Sequence, residues 1–265
     1  MTTRIAAAAA AFVLAAAPAF ALPAERLVFK VADSTPAPTS AGFIDAWQGW
    51  INPGGFNEGA AQATSLTNNG FDYKDSWVDS NWGVVDQVRV SMYSGGVEQR
   101  FMLFNPGATP ADFFDRANYA GGSYPLANLP VEGSGVGAFF STAGDSGIDR
   151  HWFINDTYGG CPRDFGFWAV LDQRPLNNYI CNWENAGATA LGESVRGLLY
   201  ATGTTATDWD NRGNGIGVAD VFAISVTYDD GRPPATGDVP LPAAGWLTLA
   251  GLGALGALRR RRKTA

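Results

Sequence analysis

The chain has 265 residues, 46% of them hydrophobic and 12% aromatic, with 18 basic and 25 acidic side chains and a formal net charge of −7 at pH 7. Setting aside Arg4 and the five cations at 259–263 leaves residues 22–238 with 12 basic against 25 acidic groups, a net of −13. Such a segment repels phosphate backbones and anionic lipid and attracts divalent cations, which excludes nucleic acid as a partner.

At the N-terminus Arg4 precedes an Ala-rich apolar run at 5–17, then Pro18 and the small-x-small triplet Ala19-Phe20-Ala21. This is the layout of a secretory signal peptide (residues 1–21), with cleavage predicted after Ala21. Residues 22–228 then read as one domain, rich in Gly, Asn, Asp and aromatics and poor in Lys and Glu, so strands joined by turns are expected. The first strands are predicted at 27–31 and 43–50. The clearest hairpin pairs 84–93 with 97–104 around Ser94-Gly95-Gly96. There Val88, Val90 and Met92 alternate with Arg89, Ser91 and Tyr93, giving one core face and one wetter face. One short helix is predicted at 109–114, with Thr109 as N-cap, Pro110 in the first helical position and Asp112 three residues after the cap. Further strands are predicted at 152–155, 165–171, 179–183, 198–201 and, most clearly, 221–228. The spacing argues for an all-β chain, an antiparallel β-sandwich of the jelly-roll or lectin-like kind. Residues 229–238 read as a linker between this domain and the C-terminal segment.

The chemistry-bearing motifs are few. Cys161 and Cys181 both lie in the exported part, and an even pair in an oxidising compartment is most simply one disulfide. Gly144-Asp145-Ser146-Gly147 resembles the nucleophile segment of chymotrypsin-like proteases, but Ile148 comes next and the single histidine, His151, lies downstream. A Ser-His-Asp triad in that order is therefore impossible, and a turn between strands is the better reading. Zinc catalysis lacks ligands, and Gly213-Asn214-Gly215-Ile216-Gly217 lacks the strand-to-helix setting of a dinucleotide site. The loop Asp208-Trp209-Asp210-Asn211 supplies alternating oxygen ligands, so Asp208, Asp210 and Asp220 are candidates for a structural Ca²⁺. Arg212 stands where a third ligand belongs, and a solvated Asx-rich turn is the competing reading. No other cofactor is expected. Trp77 and Trp82 lie in the polar stretch Asp75-Ser76-Trp77-Val78-Asp79-Ser80-Asn81-Trp82 and are the candidates for exposed, sugar-contacting aromatics, whereas most other Trp and Phe belong in a core.

The C-terminal segment, 239–265, opens with Val239-Pro240-Leu241-Pro242-Ala243-Ala244-Gly245-Trp246. Residues 243–258 are uncharged, and Arg259, Arg260, Arg261, Arg262 and Lys263 come directly after them. As a transmembrane helix this run spans about 24 Å, short of the roughly 30 Å hydrocarbon core, and the basic block keeps the C-terminus cytoplasmic. Together these features resemble a VPLPA-CTERM sorting domain, a relative of the PEP-CTERM signals. The resemblance implies recognition by an exosortase-type membrane enzyme that cuts near the Pro-containing motif, after transient anchoring in the inner membrane. It also implies delivery to the cell surface or extracellular matrix of bacteria that make exopolysaccharide. It covers about 27 of 265 residues and so names an address. For the globular part the leading expectation is a non-enzymatic surface or matrix protein that binds glycan, exopolysaccharide included. The alternative is a secreted glycosidase-like hydrolase, which would need two carboxylates facing each other in a groove, drawn from Glu25, Glu58, Glu98, Glu132, Glu184 and Glu193.

Overall fold

A computed structural model describes residues 24–33, 45–145, 147, 149–171, 181, 183, 196–210 and 215–228. The predicted signal segment with Ala19 and Ala21, the predicted linker at 229–238 and the sorting tail with the helix predicted at 243–258 lie outside these residues. Among the described residues no helix is long and apolar enough to cross a membrane.

Among the described residues twelve strands form two antiparallel sheets. Sheet A contains β1 (Ala24–Ala32), β2 (Tyr73–Lys74), β3 (Val85–Ser94), β4 (Val97–Phe104), β5 (Tyr119–Gly122) and β12 (Val221–Tyr228), in the order β2-β1-β12-β3-β4-β5. Sheet B contains β6 (Phe139–Ser141), β7 (Arg150–Thr157), β8 (Phe165–Leu171), β9 (Gly197–Ala201) and β11 (Ile216–Val218), in the order β11-β9-β8-β7-β6, with β10 (Thr207–Asp208) pairing the start of β8. The chain thus builds β3 to β5 as a meander, crosses once to build sheet B, and returns to insert β12 between β1 and β3. Consecutive strands stay within one sheet except at that single passage out and back.

The predicted alternation is what joins the layers. Val88, Val90 and Met92 of β3, and Phe222, Ile224 and Val226 of β12, are fully buried in one core with Trp152, Ile154, Trp168 and Val170 of sheet B. Aromatic contacts cross between sheets: Trp152 lies 5.6 Å from Phe29 and 5.0 Å from Phe222, and Phe104 lies 6.1 Å from Phe140. Trp152 sits at φ 38°, a left-handed value strained for a bulky side chain, inside a stretch of β7 whose register with β8 shifts. The bulge places its indole between Phe29 and Phe222.

Two local expectations differ from the structure. Residues 46–51 form a helix, α1 (Ala46–Ile51), where the sequence predicts a strand; Asp45 caps it by accepting from the Gln48 N–H at 2.8 Å, and Ala46 and Trp50, four apart, face the core. The Thr109 cap contacts do form, with Ala111 N donating to Thr109 Oγ1 at 3.3 Å, but the chain makes a single turn and no helix. Phe113 and Phe114, adjacent in sequence, both bury in the core, which an elongating helix with 100° per residue would not allow so readily. The predicted strand at 179–183 falls largely outside the described residues.

Candidate functional site

The best-formed surface feature lies on the outer face of sheet A. Strand register brings Leu27, Ser225 and Arg89 into one row, Ala223 and Ser91 into the next, and Val221, Tyr93 and Glu98 into a third. A 3-10 turn at Ala61–Thr64 carries the chain over this face, and Leu66 with Leu27 packs on Tyr93, Val221 and Ala223. The result is a shallow depression lined by Glu25, Leu27, Thr64, Leu66, Tyr93, Ala223 and Ser225.

Its polar groups are held in place. Ser225 Oγ donates to Glu25 Oε1 at 2.6 Å. Glu98 accepts from Arg89 Nε at 3.0 Å and Nη2 at 2.5 Å, and from Ser91 Oγ at 2.6 Å. The Arg89 guanidinium also lies 4.0 Å from the centre of the Phe101 ring, so the pair is fixed from two sides. Burial, reinforced by the charges of Glu98 and Glu25, pushes the Tyr93 phenol well above its ordinary value of 10, so it stays a neutral hydroxyl 3.5 Å from Glu98 Oε1. An apolar floor edged by carboxylates and hydroxyls is suited to a ligand with both C–H faces and hydroxyl groups. Apart from Glu25 and Glu98, which the sequence offers as candidate carboxylates, these residues do not stand out singly in the sequence. The alternation in β1, β3 and β12 defines their faces, but only the pairing of β12 between β1 and β3 brings them together.

The residues singled out from sequence fare differently. Trp77 opens α2 (Trp77–Asn81) and is half-buried, lying 4.8 Å from Tyr228 and under the Arg26 guanidinium, also at 4.8 Å. Trp82 is a correction: it is buried, not exposed, packing on Trp50 and Phe113 and donating its Nε1 to Pro106 O at 3.1 Å. The polar stretch is helical and turns that indole inward. Asp208 lies in β10 and accepts from the Asp210 N–H at 3.0 Å, while Asp220 Oδ2 accepts from Gly95 N at 2.8 Å at the β3–β4 turn. Among the described residues no three His, Cys, Asp or Glu side chains are grouped to hold a metal ion, and 211–214 of the candidate loop fall outside them.

Cys161 and Cys181 form a disulfide with Cα atoms 5.0 Å apart. It joins the residues before β8 to those after it, over the outer face of sheet B. There Trp183 stacks on Trp209 at 5.6 Å, and Phe153, Ala169 and Leu199 lie beneath. Arg150 lies 4.4 Å from the Trp183 ring and donates to the Tyr158 hydroxyl at 2.8 Å, which in turn donates to Asp145 at 3.1 Å. Asp145 and Arg150 bond to each other through their backbones in both directions, which ties Asp145 of the Gly-Asp-Ser-Gly segment to the start of β7. His151 is buried in β7, with Nδ1 3.0 Å from Ala143 O and its ring stacked on Trp47.

The comparison that matches falls outside the described residues. The family model described as the PEP-CTERM protein-sorting motif matches residues 238–263. The chain carries a PEP-CTERM sorting motif. That match contains Val239, Pro240, Leu241, Pro242 and Ala243 and runs through Arg259, Arg260, Arg261, Arg262 and Lys263. The PEP-CTERM motif implies an exported protein, sorted to the cell envelope and processed by an exosortase-type enzyme. No curated protein and no solved structure matches the chain.

Proposed function

We propose that the folded part is a non-enzymatic glycan-binding protein of the cell surface or extracellular matrix, a lectin-like sandwich delivered by its PEP-CTERM tail. The sorting motif at 238–263 supports the reading, because it implies export to the cell envelope, and extracellular polysaccharide is the ligand we propose for the domain there. The sheet A depression offers the contacts: Tyr93 and Leu27 as an apolar floor, with Glu25, Ser225 and Thr64 as hydrogen-bonding groups. The half-buried Trp77 is a separate candidate contact at the end of the sheets. After export we expect transient anchoring through residues 243–258 with the basic block on the cytoplasmic side.

A glycosidase needs one carboxyl group free to aim a proton at the leaving oxygen. Glu98 has both oxygens engaged by Arg89 and Ser91, which favours binding over hydrolysis on this face. Structural Ca²⁺ at Asp208 and Asp210 is part of the proposal, to be read as a chelator-dependent fall in melting temperature. A glycan array with the secreted, tail-processed protein tests the main reading. Retention of acidic or neutral polysaccharide that is lost in Tyr93→Ala supports it. No retention on any glycan, or release of reducing sugar by the wild type, overturns it.

A further inference from the structure

We propose that Lys30 and Asn69 become joined by an isopeptide bond inside the folded domain. Lys30 lies in β1, between Ala223 of β12 and Tyr73 of β2, and its side chain is fully buried. Its Nζ donates to Ser65 O at 3.0 Å and to Asn69 Oδ1 at 3.1 Å. A buried ammonium is costly, and burial, partly opposed by Asp72, lowers this amine from 10.5 to about 8. About a tenth of it is then neutral and nucleophilic at pH 7. The amide opposite is prepared for attack. Asn69 Oδ1 also accepts from the Phe71 N–H at 3.2 Å, so a backbone donor other than the attacking amine faces the oxygen on which negative charge would develop, and Asn69 Nδ2 is anchored on Gln62 O.

The step balances without a co-reactant. The Nζ lone pair forms a bond to Asn69 Cγ, the Cγ–Nδ2 bond breaks, and one proton passes from Nζ to Nδ2, which departs as ammonia. Asp72 lies close enough for its charge to act on Lys30, while its two oxygens accept from Arg196 and the Ala32 N–H. The product replaces a buried amine with an amide and ties β1 to the segment that forms one wall of the sheet A depression. It rests on none of the glycan reading.

Intact mass after disulfide reduction tests it on the secreted protein. The expected value is about 17 Da below the sequence mass, one ammonia, with a branched tryptic peptide joining Lys30 to Asn69 and no cleavage after Lys30. Lys30→Arg and Asn69→Ala should each restore the full mass. A wild type at full sequence mass, cleaved normally after Lys30, overturns the proposal. So does a deficit that persists in Lys30→Arg, since the Asn69-Gly70 pair can lose the same ammonia by forming a succinimide. The wild-type measurement decides the matter even if a variant fails to fold.

Discussion

Arg196 and Asp72 meet at 2.7 Å with side chains 2% and 0% exposed, and Asp72 also accepts from the Ala32 N–H at 2.9 Å. Removing one partner of a buried pair strands the other in a medium that cannot solvate it, which typically costs about 3 to 5 kcal/mol. Asp72→Ala should therefore lower stability in urea by about that amount, while the double change Asp72→Ala with Arg196→Met should recover a large part of it. A second test sits at Gly166 in β8, where an added Cβ would lie 2.7 Å from both Asn155 Oδ1 and Trp209 Cζ2. These two groups are bonded to each other at 2.9 Å. Gly166→Ala should cost about 1 to 3 kcal/mol by urea unfolding, as overpacking does. A neutral result would show that the indole has room to move. Neither pairing is legible in the sequence: Asp72 and Arg196 are 124 positions apart, and nothing local marks either residue as buried.

At the scale of elements, alternation is the informative pattern. It locates β12 to the residue and β3 to within one, because Phe222, Ile224 and Val226, and Val88, Val90 and Met92, recur at every second position, whereas β8 is a continuous apolar run buried along nearly its whole length. It misreads residues 46–51 because Trp47, Trp50 and Ile51 are strand-favouring types, whereas the better signal is Asp45 with Gln48 three residues later, a helix start. Alternation also overstates how wet the outer faces are. Ser91 and Tyr93 are buried because residues 61–66 cover sheet A, and Trp183 and Trp209 because the disulfide-linked segment covers sheet B. That disulfide, with a separation of 20, should contribute roughly 3 kcal/mol. Reduction, or Cys161→Ser with Cys181→Ser, should lower the melting temperature and shift tryptophan emission to longer wavelength as the Trp183–Trp209 stack opens. Unchanged emission would mean that the stack holds without the bond.

Across the whole molecule, the buried phenols set an alkaline limit. Burial raises Tyr73, Tyr93, Tyr124 and Tyr158 well above their ordinary value of 10, with nearby carboxylates adding to the rise for Tyr73, Tyr93 and Tyr158. The folded chain keeps these protons above pH 10 while the unfolded chain releases them, so this contribution to stability is complete below pH 10 and falls as pH rises beyond it. Unfolding and tyrosinate absorbance should then rise together above pH 10; phenols that titrate while the fold persists would contradict the burial. The first residue of β1, Ala24, pairs with the last of β12, Tyr228, so the domain starts and ends side by side and the sorting segment leaves from that end. What the domain is for depends on that segment reaching an exosortase-type enzyme. The most direct measurement is C-terminal peptide mapping by mass spectrometry of the protein recovered from the cell envelope. Chains that end before Trp246 and lack Arg259 to Lys263 are expected, whereas an intact basic tail on most surface-located molecules would contradict processing at the motif.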